Sequence, residues 1–160
     1  MRVSRMFPIP TYGSVALSAM LTGLLPITDA CAALGGTMAT TAPSGASAPP
    51  VVQLNGALLV RTHVDAGGTT LNEYASSTGQ IFAYTWQGPT MPDLPALLGA
   101  YNASYRVGAA DGYAASHDLH AARVARSDVI VESGGQMRSY VGRAWLPTAL
   151  PAGVTPADLR

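Results

Sequence analysis

Lysine is absent from this 160-residue chain: all nine basic residues are arginine, and nine acids balance them to a formal charge of zero. A protein that binds a phosphate backbone needs a cationic surface to displace counterions, so nucleic acid is not an expected partner. Charge of either sign is scarce, at 11% against an ordinary ~25%. Solvent-facing positions must therefore be filled by Ser, Thr, Asn and backbone. Cysteine occurs once, at Cys31, which rules out an intramolecular disulfide. The chain also has no P-loop, no G-x-G-x-x-G after a strand and no H-E-x-x-H. Without those footholds for nucleotide, dinucleotide or zinc-protease chemistry, no cofactor is expected.

What is present begins with an address. Arg2 and Arg5 open the chain, "VALSAMLTGLLPI" from Val15 to Ile27 is apolar, and "ACAALGG" supplies small residues, the three-part pattern of a secretory signal. With Ala30 and Ala32 as the A-x-A pair, residues 1–32 form the signal and the mature chain begins near Ala33. The apolar run is shorter than the ~20 residues that span a bilayer and closes on Pro26 and Asp29, so no membrane span is expected after cleavage. Cys31 offers a lipid-attachment alternative. Its preceding "TDA" places Thr28 where lipoprotein signals carry a leucine-like residue, which favours ordinary cleavage and loss of the thiol. The expected destination is the periplasm, ahead of secretion or a lipid anchor at Cys31.

Residues 33–50 include "GGTMATTAPSGASAPP", a low-complexity leader too poor in apolar side chains to offset its own ordering, and are read as flexible. Residues 51–160 are read as a single α+β domain. "ALLVRTHV" (57–64), "TTLNEYA" (69–75) and "QIFAYTW" (80–86) are rich in β-branched and aromatic residues and are separated by "DAGG" and "SSTG". Loops this short require an antiparallel three-stranded meander. Strict alternation places Phe82, Tyr84 and Trp86 on one face of the third strand. "DVIVE" (128–132), the turn "SGGQ" and "MRSYVGRAWL" (137–146) form a later hairpin, giving about five strands. The alanine-rich stretch before it has no clear period and is read as either a short helix or a loop. Near the end, Thr155, Pro156 and Asp158 have the spacing of a capped single helical turn.

Between meander and hairpin, "GPTMPDLPALLGAY" (88–101) crowds three prolines against leucines. A helix started at Asp93 receives a carboxylate cap and puts Pro95 at its second position. A start at Thr90 would place Pro95 inside the ladder, at about 3 kcal/mol. Leu94, Leu97, Leu98, Tyr101 and Tyr105 then make one apolar stripe, so one amphipathic helix is expected to cover one face of the sheet.

"WQGPTMPDLPALLGAY", "DVIVESGGQMRSYVGRAWLP", "LPAGVTPADLR" and the "ALGG" after the signal resemble the corresponding segments of exported proteobacterial proteins grouped as domain of unknown function 2844. The resemblance implies export from a Gram-negative cytoplasm and brings no catalytic residue, ligand or cofactor with it.

Several constellations are candidates for chemistry. His117 and His120 in "HDLH" share a helical face and would need a third metal ligand from Asp118, Asp111 or His63. Glu73 and Glu132 would make an acid–base pair if their strands adjoined. Ser133 in "ESGG" lacks the G-x-S-x-G elbow and sits where a turn is wanted. Arg123, Arg126, Arg138 and Arg143 are the cationic concentration, but Arg138 and Arg143 fall on opposite faces of a regular strand. Tyr84, Trp86, Tyr140 and Trp145 are either core or a ligand platform. The expected function is a non-catalytic exported module binding a protein or envelope component. The alternative is a small periplasmic hydrolase or metal-dependent enzyme using His117, His120 and nearby acids.

Overall fold

β-Branched and aromatic residues at alternate positions build β2 (Leu58–Val64), β3 (Thr70–Ser76) and β4 (Ile81–Gly88), within a residue or two of the stretches expected from sequence. The computed structural model describes residues 32–38, 48–116 and 121–160. These three strands are joined by β1 (Val51–Gln53) on one side and β7 (Ser139–Trp145), β6 (Ile130–Gln136) and β5 (Ala121–Ala125) on the other. The result is one antiparallel sheet of seven strands in the order β1-β2-β3-β4-β7-β6-β5. Five were expected. The two additions are sheet edges with weak signals: β1 is wholly exposed, and only Val124 of the alanine-rich β5 is buried.

The expected hairpin turn at "SGGQ" is also displaced. Ser133 to Gln136 continue β6, Gln136 pairs with Ser139, and Met137 and Arg138 make the turn. Arg138 is thus a turn residue with φ 64, not a strand residue.

Helix α1 (Leu94–Leu98) starts at Asp93, whose Oδ1 accepts the Ala96 amide at 3.1 Å, with Pro95 harmless in the first turn. A 3₁₀ turn at Gly99–Tyr101 leads into α2 (Asn102–Ser116), so the helical region runs well into the stretch that had no readable period. The crossover before α1 is pinned by buried Thr69, whose hydroxyl donates to Thr90 O at 2.6 Å.

Apolar side chains fill both faces of the sheet. Leu71, Ala75, Ile81, Tyr84, Trp86, Val131 and Ala144 pack beneath Leu94, Leu97 and Leu98 of α1, with Tyr101 and Tyr105 at the margin. On the other face Leu58, Val60, Tyr74, Phe82, Ala83 and Trp145 pack against Val154 and Leu159 of the C-terminal segment. Each large side chain so buried contributes about 1.5–3 kcal/mol. That segment ends in the expected turn, Pro156–Asp158, with the Thr155 amide donating to Asp158 Oδ2 at 2.8 Å.

Phe82 is not on the face of Tyr84 and Trp86. The β3–β4 register pairs Tyr74 with Ala83 and Ala75 with Ile81, leaving Phe82 as the extra residue of a bulge. The bulge turns it to the opposite side.

The leader is not flexible throughout. Leu34 and Met38, 3% and 4% exposed, are sealed into the core under α1. Leu34 N donates to Leu97 O at 2.8 Å, Gly35 N to Ile81 O at 2.9 Å and Met38 N to Gly79 O at 2.8 Å. Composition missed this docking because two apolar side chains were diluted among small residues.

Candidate functional site

Cross-strand partners share a face, so the register assembles a site from strands distant in sequence. Asn72 of β3 stands beside Thr85 of β4, Thr85 beside Arg143 of β7, and Arg143 beside Glu132 of β6. One step along the strands on the same side come Thr70, Gln87, Val141 and Gly134. These two polar rungs line a groove of about 590 Å³, bounded by Leu159 and Arg160 where the C-terminal segment stops covering the sheet. Thr70, Asn72, Thr85 and Gln87 supply hydroxyls and amides, and apolar surface comes from Trp86, Leu159 and Val141, the last 53% exposed.

At the groove one carboxylate, Glu132, is shared by two guanidiniums. Arg143 Nε donates to Glu132 Oε2 at 2.7 Å, and its Nη2 approaches the same oxygen at 2.7 Å. Arg123 Nε lies 3.3 Å from Glu132 Oε1. Arg143 Nη1 donates to Pro156 O at 2.6 Å, and the guanidinium carbon sits 5.3 Å from the centre of the Trp145 ring. Arg143 is therefore fixed on several sides and is shaped as a wall, not as a mobile anion hook. Asn72 is held similarly: its Nδ2 donates to Thr85 Oγ1 at 3.2 Å and to Arg160 O at 3.0 Å, and its Oδ1 accepts from Thr62 Oγ1 at 2.7 Å.

Of the described residues singled out from sequence, Glu132, Arg123, Arg143 and Trp145 come together, and the others do not join them. Tyr84 and Trp86, 0% and 2% exposed, lie beneath α1. Trp145 is buried on the opposite face, and Tyr140 is half-buried beside Gly88 and Gly135. Glu73 and Glu132 are separated by β4 and β7 and occupy opposite faces. Glu73 is sealed with Arg61, whose Nε donates to its Oε2 at 2.7 Å, while the Tyr84 hydroxyl lies 2.9 Å from its Oε1. Ser133 sits within β6 opposite Gly142, and Arg126 reaches Asp111 at 3.8 Å. His117, His120 and Asp118 lie outside the described residues. Among the described residues no group of three or more His, Cys, Asp or Glu side chains could hold a metal ion. Asn72, Thr85, Gln87 and Val141 were not singled out. Alternation could have placed Thr70 with Asn72 and Thr85 with Gln87, but the β4–β7 pairing that completes the groove has no local signal.

The model of the family described as protein of unknown function (DUF2844) matches residues 30–159, and the chain belongs to that family. No curated protein and no solved structure matches the chain.

Proposed function

We propose that this member of the DUF2844 family is an exported, non-catalytic binding module that holds an envelope polymer in the groove between β3, β4, β7 and β6. The observation that carries this reading is the fixing of the groove's polar side chains: Asn72 and Arg143 are held by neighbours on several sides before any ligand arrives. A preorganised surface loses little side-chain entropy on binding. Hydroxyls and amides at Thr70, Thr85 and Gln87 suit a neutral chain rich in hydroxyl and amide groups, with Val141 available for a methyl contact. The glycan strands of peptidoglycan have that chemistry, and the signal-like residues 1–32 would deliver the protein to them.

Sedimentation with isolated peptidoglycan sacculi tests the reading. Q87A and V141D should each weaken co-sedimentation about tenfold, the effect of losing about 1.4 kcal/mol of binding. V107D, on exposed Val107 of α2, should leave it unchanged. Equal pelleting of all three variants with the parent protein would remove the groove from the binding surface.

A further inference from the structure

The first described residues meet the sheet at its most enclosed ionic cluster. The Tyr84 hydroxyl donates to the carbonyl oxygen of Ala32, and the same hydroxyl lies 2.9 Å from Glu73 Oε1. A tyrosine has one hydroxyl hydrogen and here faces two acceptors. Glu73 is 0% exposed and Arg61 5%, and the two form an ion pair through Arg61 Nε and Nη2.

Immediately after Ala32 the chain is clipped down. Gly36 N donates to Ala33 O at 2.8 Å, closing a turn in which Gly35 adopts φ 83, a conformation that favours glycine. Bonds from Gly35 N to Ile81 O and from Ile81 N to Gly36 O, each 2.9 Å, add this turn to the start of β4, while Leu34 N bonds to Leu97 O of α1 and Met38 N to Gly79 O in the preceding turn. A side chain added at Gly99 would come within 2.6 Å of Ala33 Cβ, so Ala33 itself is packed against the helical region. The peptide bond between Ala32 and Ala33 thus sits at the boundary between the expected signal and a segment the fold holds in place.

We propose that the Tyr84 hydroxyl, oriented by the Glu73 carboxylate that Arg61 holds in place, is the binding site for the chain's own processed N-terminus, the α-ammonium of Ala33. The proposal rests on the export half of the function given above. A signal peptidase would hydrolyse the Ala32–Ala33 bond with one water: the C–N bond breaks, Ala32 leaves as a carboxylate, and the Ala33 nitrogen becomes an ammonium. Cleavage removes the Ala32 carbonyl, one of the two acceptors at Tyr84, and puts three N–H donors one bond away from it. The Tyr84 hydrogen is then committed to Glu73, and its oxygen lone pair accepts from the ammonium. Processing in this way ends the competition of two acceptors for the Tyr84 hydrogen.

The absence of lysine makes the test selective, because the α-amine is the sole primary amine of the chain. The exported protein is purified and its intact mass read, then its acetylation rate by an amine-selective reagent is measured at neutral pH, folded and in urea. The expected mass begins at Ala33, and the folded amine should label at least tenfold more slowly than the unfolded one. Tyr84→Phe should restore fast labelling. Because that variant could lose stability, urea midpoints are measured as well: acetylation should lower the midpoint of the parent protein and leave that of Tyr84→Phe unchanged. A mass beginning at any other residue overturns the processing premise. A mass beginning at Ala33 with equal folded and unfolded labelling rates overturns the binding site and leaves export standing.

Discussion

Arg61 and Glu73 face each other across the β2–β3 register and close into an ion pair on the helix-covered side of the sheet, 5% and 0% exposed. Two charges withdrawn from water hold one another only as a pair, and removing one strands the other. Glu73→Gln should therefore lower stability by about 3–5 kcal/mol. Replacing both residues with apolar side chains of similar volume should cost less than either single change. Urea unfolding of the four proteins in the cycle measures the difference.

Gly142 is where the Trp86 ring crosses β7. An added Cβ would lie 2.3 Å from Trp86 Cζ2 and 2.6 Å from Glu132 O, so one of them has to move. Gly142→Ala should cost about 1–3 kcal/mol through overpacking. Trp86 emission should shift as the ring is displaced, and thermal unfolding supplies the magnitude. An unchanged melting temperature would show that β7 yields freely at this point.

Asp93 accepts the Ala96 amide at the start of α1, so Asp93→Ala should cost about 1 kcal/mol and Asp93→Asn only a fraction of that. Equal losses for the two substitutions in a chemical melt would mean that charge, not the cap hydrogen bond, matters there.

Asp158 has its carboxyl held below the ordinary aspartate value of 3.8, first by the Thr155 amide and next by the Thr155 hydroxyl. A carboxyl with a folded value below its unfolded one adds stability that is present above the unfolded value and lost as pH falls through the folded one. The C-terminal turn should therefore be intact at neutral pH and loosen only in acid, below 3.8. NMR titration of Asp158, followed alongside the Thr155 amide, checks this. An ordinary aspartate midpoint, or a Thr155 amide indifferent to it, would remove the cap from the account.

The groove was only partly legible in the sequence. Alternation along β3 and β4 is the signal that could have placed Thr70 with Asn72 and Thr85 with Gln87, each pair on one face. Arg143 was singled out as a cation, but its partner Glu132 was considered for an acid–base role with Glu73. Pairing between β4 and β7 decided otherwise, setting Arg143 between Thr85 and Glu132 and leaving Glu73 on the far side. The aromatic residues misled for a related reason: ring chemistry is the same in a core and on a binding surface, and only burial separates the two.

The sequence by itself determined what depends on near neighbours. Period-two alternation set β2, β3 and β4, proline and carboxylate spacing set the start of α1, and Thr155 with Asp158 set the closing turn. Tertiary structure alone decided the bulge at Phe82, the edge strands β1 and β5, the docking of Leu34 and Met38, and the groove itself. Each of these depends on register between strands, or on burial against a segment, distant along the chain. A short run with little propensity of its own becomes a strand or a core segment when a partner already stands beside it to receive its hydrogen bonds and cover its side chains.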